Sequence, residues 1–137
     1  MHRFKENVKY DVGYMSISTS TTSTVTTGTS VDMRKYNNFC GLVGGVVTTG
    51  AGPLTAYIRE STDAATWTAA YLATATITSA TTPYLGYGGS IEIRAEQMTD
   101  SYRYLRVEVV PQSGTGNLIA IANLRFNSRY PQATLPS

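Results

Sequence analysis

Apolar and polar residues alternate with a period of two along much of this chain, a pattern typical of β-strands. The clearest strand is predicted over residues 102–110. Alternate residues of this strand are apolar and polar. The apolar residues Leu105, Val107 and Val109 are predicted to face inward, and Tyr104, Arg106 and Glu108 are predicted to face outward. A first strand is predicted around residues 8–17, and a change of parity at Gly13 predicts a β-bulge.

Further strands follow at short intervals. Residues 38–48 are apolar on both parities, which predicts a strand buried on both faces, with something packed closely against its glycines. Strands are also predicted over 54–60, in the second half of the Ala-rich run 64–78, and over 90–94 and 118–126. Residues 31–36 predict one helical turn. Trp67 is predicted to lie in the core between two sheets.

About eight short strands separated by Gly and Pro turns predict an all-β, single-domain, antiparallel β-sandwich of the jelly-roll type. A length of 137 residues fits one domain. We expect an N-terminal arm over residues 1–9, the sandwich over 10–127 and a C-terminal tail over 128–137. The Ser/Thr-rich segment 16–30 belongs to the sandwich as a solvated loop, an edge strand or an extended arm.

Charge and cysteine content restrict the partners. Only 15% of residues are charged and the formal net charge is +2, so no nucleic-acid partner is predicted. No apolar run approaches the ~18 residues of a membrane span, and the first residues lack the apolar region of a secretory signal. Cys40 is the one cysteine, which excludes a disulfide within the chain and predicts a buried thiol.

Catalytic residue types are scarce. The single histidine, His2, stands near the start of the chain, and one histidine with one cysteine does not make a zinc site. Glu92 and Glu96 share a parity, as the two acids of a glycosidase would, but Arg94 between them keeps both ionised. We therefore predict no enzymatic activity, no metal, no cofactor and no small-molecule substrate.

Tyrosines and arginines are the candidate binding residues. Tyr84, Tyr87, Tyr102 and Tyr104, with Arg103 and Arg106, would suit either a stacking platform or a protein interface, and the low charge favours the interface. The terminal segments combine basic and aromatic residues that suit docking onto an acidic surface. The predicted partner interface comprises Arg3, Phe4, Lys5, Tyr102, Tyr104, Arg106, Arg129 and Tyr130.

Three segments also carry a resemblance to a known class of proteins. They are VDMRKY at 31–36, ESTD at 60–63 with Trp67 downstream, and IRAEQM at 93–98 leading into YRYLRV at 102–107. In this order the segments resemble small jelly-roll decoration, or cement, proteins on the capsids of tailed bacteriophages.

The resemblance implies a virion structural protein that is made in the host cytoplasm. It would bind the outer surface of the major capsid protein shell, often as a homotrimer, and stabilise that shell. A glycan- or receptor-binding module of a phage tail or fibre is the alternative, and a cellular adaptor sandwich is a third.

Overall fold

The computed structural model describes residues 8–17, 25–49, 53–78, 85–112 and 115–128. These residues form strands, loops and one short 3-10 turn at Ala95–Gln97. The strands are β1 (Val8–Ile17), β2 (Thr26–Thr27), β3 (Val31–Asp32), β4 (Tyr36–Thr49), β5 (Leu54–Ser61), β6 (Ala73–Ile77), β7 (Leu85–Arg94), β8 (Tyr104–Pro111) and β9 (Thr115–Ser128). Within these ranges, no helix has the length and apolar character needed to span a membrane.

The strands form two antiparallel sheets. One has the order β1-β9-β4-β7, and the other has the order β2-β8-β5-β6 with β3 also paired to β8. If β2 and β3 are counted as one interrupted strand, the pairing is nested: first with last, second with second to last, third with sixth and fourth with fifth. This is a long hairpin folded over on itself, the jelly-roll arrangement, so the predicted fold class is confirmed.

Several local predictions are also confirmed. The register between β1 and β9 shifts between Val12 and Tyr14, where the change of parity at Gly13 predicts a bulge. The second half of the Ala-rich run forms β6. The β-structure is slightly longer than the expected sandwich, because β1 begins at Val8 and β9 ends at Ser128.

Two local predictions are wrong. Residues 31–36 form no helical turn: they form β3 and a turn in which the Tyr36 N–H donates to the Met33 carbonyl at 3.0 Å. The strand β4 is not buried on both faces, since Phe39 and Val43 lie in the core while Leu42, on the opposite parity, is 42% exposed. Within the described residues no second layer covers the outer face of this sheet at Leu42.

The Ser/Thr-rich segment contributes a piece of edge strand. Thr26 and Thr27 form β2 and pair with Val109 and Glu108 of β8, and Thr26 is buried. Residues 18–24 of the segment lie outside the described residues.

The core fills the space between the two sheets. It is built from the inward parity of the strands together with Met33 from the turn after β3, and its fully buried members include Phe39, Leu54, Ala56, Ile58, Leu105, Val107 and Val109. The close packing predicted at the β4 glycines is observed at Gly41. A Cβ at Gly41 would lie 2.6 Å from the Val107 Cγ2 atom of the facing sheet.

Candidate interaction surface

The strands β5 and β8 lie side by side, and their polar parities share the outer face of one sheet. In this register Arg59 is opposite Arg106, Tyr57 is opposite Glu108 and Ser61 is opposite Tyr104. Because Ile58 and Val107 on the other parity are fully buried, the side chains of Arg59 and Arg106 are directed away from the core.

Glu108 is the charged centre of this face. Its side chain is only 4% exposed and it accepts hydrogen bonds from the Arg59 Nε atom and the Arg106 Nε atom, each at 2.9 Å. The Arg106 Nη2 atom also pairs with this carboxylate. A buried carboxylate is costly without partners, and two guanidinium groups compensate its charge here.

Arg59 also anchors the connection between β5 and β6, residues 62–72. Its Nη1 atom donates to the carbonyl oxygens of Thr68 and Ala69, and its Nη2 atom donates to the Tyr71 hydroxyl at 3.2 Å. The Leu72 N–H donates to the Ile58 carbonyl at 2.8 Å. This connection therefore folds back over the outer face of β5 and β8.

Aromatic rings from this connection stack on the arginines. The Arg106 guanidinium lies 4.3 Å from the centre of the Trp67 ring, and the Arg59 guanidinium lies 4.5 Å from the Tyr71 ring. Tyr57 stacks on Tyr71 with ring centres 4.0 Å apart. We call the outer face formed by Tyr57, Arg59, Trp67, Tyr71, Tyr104, Arg106 and Glu108 the arginine–aromatic surface.

The predicted position of Trp67 is wrong. Trp67 is partly exposed, lies outside the hydrophobic core and covers Arg106 on the outer face. The reason is the path of the connection after β5, which is held to the sheet exterior by Arg59 and does not pass between the sheets.

This position sets the expected effect of removing the indole. Trp67→Ala should lower the free energy of unfolding by about 1 to 2 kcal/mol, because it removes a partly exposed cation–π contact. Phe39→Ala, at a fully buried ring, should cost about 3 to 5 kcal/mol. Urea unfolding of both variants measures the difference. Equal losses would contradict the surface position of Trp67.

A charged cluster borders the arginine–aromatic surface at one end of the sandwich. The Asp32 carboxylate binds Arg34 at 2.8 Å and Arg103 at 3.0 Å, and the Arg103 guanidinium lies 4.5 Å from the Tyr104 ring centre. Burial raises the pKa of Asp32, but hydrogen bonds from Arg34 and the nearby arginine charges outweigh it and hold the pKa below its usual range. Asp32 therefore stays ionised at neutral pH.

A surface pocket of about 210 Å³ lies beside this cluster. The methionines Met33 and Met98 contribute its apolar part, and Arg34, Asp100 and Tyr102 contribute polar groups. Tyr102 therefore lies at the same end of the sandwich as Tyr104, in a recess that would admit one side chain of a partner.

The structure brings together three of the predicted interface residues. Tyr104 and Arg106 belong to the arginine–aromatic surface, and Tyr102 lines the adjoining pocket. The other five, Arg3, Phe4, Lys5, Arg129 and Tyr130, lie outside the described residues. Tyr84 does so too, and Tyr87 pairs with Gly45 in the other sheet, so the predicted tyrosines do not form one cluster.

Sequence reasoning missed Arg59, Tyr57, Tyr71 and the central role of Glu108. The alternation over 54–60 does place Tyr57 and Arg59 on the outward parity, which was the available signal. Their meeting with Arg106 and Glu108 depends on the register between β5 and β8, two strands separated by more than forty residues of chain.

The acids around Arg94 are arranged differently from a glycosidase pair. Arg94 binds Glu96 at 3.4 Å with both side chains more than 70% exposed, while Glu92 is hydrogen-bonded to the Cys40 thiol. Within the described residues, no group of three or more His, Cys, Asp or Glu side chains is placed to hold a metal ion.

Cys40 is buried on the outer face of β4, opposite Glu92 of β7. Burial, together with the charge and the hydrogen bond of Glu92, raises the pKa of the thiol from about 9 to about 11.

Between these two pKa values the folded chain keeps a proton on Cys40 that the unfolded chain loses, so the free energy of unfolding should fall as pH rises from about 9 to about 11. Subtracting the pH profile of Cys40→Ala from that of the unmodified protein should isolate this decline. A pH-independent difference would contradict it.

The topology and this outer face define a jelly-roll β-sandwich that carries a surface of stacked arginine and aromatic side chains on one of its sheets. No sequence-family model and no curated protein matches the chain. Its fold is similar to that of the VP2 protein in a subviral particle of infectious bursal disease virus, with a TM-score of 0.58 and 15% identity over 90% of this chain. A chain of the Gt strain of the same virus gives a TM-score of 0.55 and 14% identity over 94% of this chain.

This chain spans about a third of the length of those viral chains, 33% and 35% respectively. At such low identity the likeness concerns the fold alone. The chain therefore has the jelly-roll fold found in viral shell proteins.

Proposed function

We propose that this protein is a virion structural protein that binds the outer surface of a major capsid protein shell and stabilises it, as capsid decoration proteins do. The nested strand order, together with the fold similarity to VP2 over nine-tenths of the chain, carries this proposal. A decoration protein needs contact area and many modest contacts, and it needs no catalytic chemistry.

The arginine–aromatic surface supports a protein partner. Tyr, Trp and Arg are enriched where proteins bind one another, and this surface presents all three. A glycan would require an aromatic ring face to stack on. Trp67 and Tyr71 each already have a stacking partner within the chain, Arg106 for Trp67 and both Arg59 and Tyr57 for Tyr71.

The two ends of the described chain lie near the pocket beside Tyr102, which supports attachment through this end of the sandwich. Val8, at the start of β1, pairs with Phe126, and Ser128, at the end of β9, pairs with Tyr36 beside the Met33 turn. Val8 and Ser128 therefore both lie at the end of the sandwich that carries the pocket and Tyr102. Arg3, Phe4, Lys5, Arg129 and Tyr130 are proposed as anchors that extend this surface towards the shell or a sister subunit.

Co-sedimentation with shells of the major capsid protein from the same genome tests the proposal. The full chain should bind and appear on the shell exterior by electron cryo-microscopy. Deleting residues 1–7 should reduce occupancy, and so should Tyr104→Ala, whereas Leu42→Ala, at an exposed position on the outer face of the other sheet, should leave occupancy unchanged. Absence of shell binding, with selective binding on a glycan array, would favour the tail or fibre alternative.

We also propose that the free protein is a homotrimer. Sedimentation should then give a mass near three times 14.8 kDa, or near six times that mass where two trimers associate. A monomer at micromolar concentration would reject the trimer for the free protein.

A further inference from the structure

The two sheets have four edge strands, and three of them are protected against pairing with another chain. The edge strand β1 carries a bulge after Val12 and an exposed Lys9. The edge formed by β2 and β3 is interrupted, with two residues in each strand, and β6 has only five residues. Bulges, lysines and short length are the usual means by which proteins prevent contact between sheet edges.

The fourth edge, β7, lacks these protections. It has ten residues without proline or lysine, and its pairing with β4 runs from Leu85 to Arg94 without a register shift. Its Gly86 and Gly88 open onto empty space, because a Cβ at either position would meet no described atom within 4 Å. A long, regular edge of this kind is a template for another strand.

The backbone of β7 shows which groups face outward. The Arg94 N–H donates to the Gln97 side-chain oxygen at 2.9 Å, so this group does not point towards β4. Because backbone groups alternate along a strand, the N–H and carbonyl groups of Gly88, Ser90 and Glu92 also point to the open edge. In the part of the chain that the structure describes, nothing accepts a hydrogen bond from these three N–H groups.

We propose that β7 pairs with β7 of a second copy of this chain, antiparallel and about a two-fold axis at Ser90. This register pairs every residue from Gly86 to Arg94. It places Glu92 opposite Gly88 and Arg94 opposite Gly86 of the second copy, so each long charged side chain meets open space and no like charges are opposed. Centring the axis on Glu92 would instead oppose two carboxylates.

The pairing joins two four-stranded sheets into one continuous sheet. An identical surface on both copies closes the contact, as two-fold symmetry requires. The contact uses the sheet opposite to the arginine–aromatic surface, so it leaves that surface available to another partner.

Disulfide trapping tests the register directly. Ser90→Cys places two thiols at a hydrogen-bonded antiparallel pair, where Cα atoms are about 5.5 Å apart, within the range that a disulfide spans. Under mild oxidation it should form a disulfide-linked dimer about tenfold faster than the control Glu96→Cys, which lies just beyond the strand. Equal rates for the two variants would overturn the proposal.

Two further variants separate the proposed register from other contacts. These variants carry Cys40→Ala, because Cys40 lies opposite residue 92 and would form a disulfide with a cysteine there. Gly88→Cys alone should cross-link slowly, while a mixture of Gly88→Cys and Glu92→Cys should form the mixed dimer. Adding Ser90→Pro to both chains removes an outward N–H without removing a bond to β4, so it should abolish this mixed dimer while circular dichroism stays unchanged. A mixed dimer that survives Ser90→Pro would overturn strand pairing. These cross-linking experiments use the free protein without capsid shells, so their outcome does not depend on the proposed function.

Discussion

Replacing Glu108 by alanine is expected to lower the free energy of unfolding by about 3 to 5 kcal/mol. The carboxylate is 4% exposed and lies between Arg59 and Arg106. Its removal leaves two partly buried guanidinium groups without the negative charge that compensates them, and Arg59 also anchors residues 62–72. Urea unfolding followed by circular dichroism measures the loss.

Glu96→Ala is the matched control for Glu108→Ala. Glu96 also pairs with an arginine, but its side chain is 73% exposed, so its removal should change stability by less than about 1 kcal/mol. If the two variants lose the same stability, burial of the Glu108 ion pairs does not contribute as proposed.

Replacing Gly41 by valine is expected to lower the free energy of unfolding by about 3 kcal/mol. A Cβ at Gly41 would lie 2.6 Å from Val107 Cγ2 and 3.3 Å from Ile91 Cγ2. Val107 is fully buried and β-branched, so it has little freedom to move away. The facing sheets would have to separate locally to admit the new side chain.

A second substitution identifies the cause of this loss. Val107→Ala should restore part of the stability of Gly41→Val, with a coupling of about 1 kcal/mol or more in a double-mutant cycle. Gly86→Val, at a position open to solvent, should be nearly neutral. Additive losses for Gly41→Val and Val107→Ala would show that the clash with Val107 is not responsible.

Local alternation accounts for the parts of the fold that sequence reasoning predicted. The bulge at Gly13, the strand in the second half of the Ala-rich run and the two parities of β8 depend on residues close together in the chain. The same alternation placed Tyr104 and Arg106 on an outward face. Regularly spaced strands then indicated the jelly roll, because few other arrangements bury so many half-apolar strands.

Two of the wrong predictions, those for Trp67 and for the outer face of β4, share one origin. Trp67 and Leu42 are apolar residues for which burial was expected, yet one covers an arginine outside the sheet and the other is exposed on the outer face of β4. The apolar character of a residue predicts that its burial is favourable, but it does not predict which surface will cover the side chain. That depends on the path of the connecting loops.

The sequence by itself determined the positions of most strands, the single sandwich and the outward face of β8 that carries Arg106 and Glu108. Tertiary structure alone decided that Arg59 meets Glu108 and that β7 is a continuous edge. The physical reason is the range of the interactions. Side-chain alternation is set within one strand, whereas register and edge position are set by pairing between strands far apart in the chain, which residues along one strand do not encode.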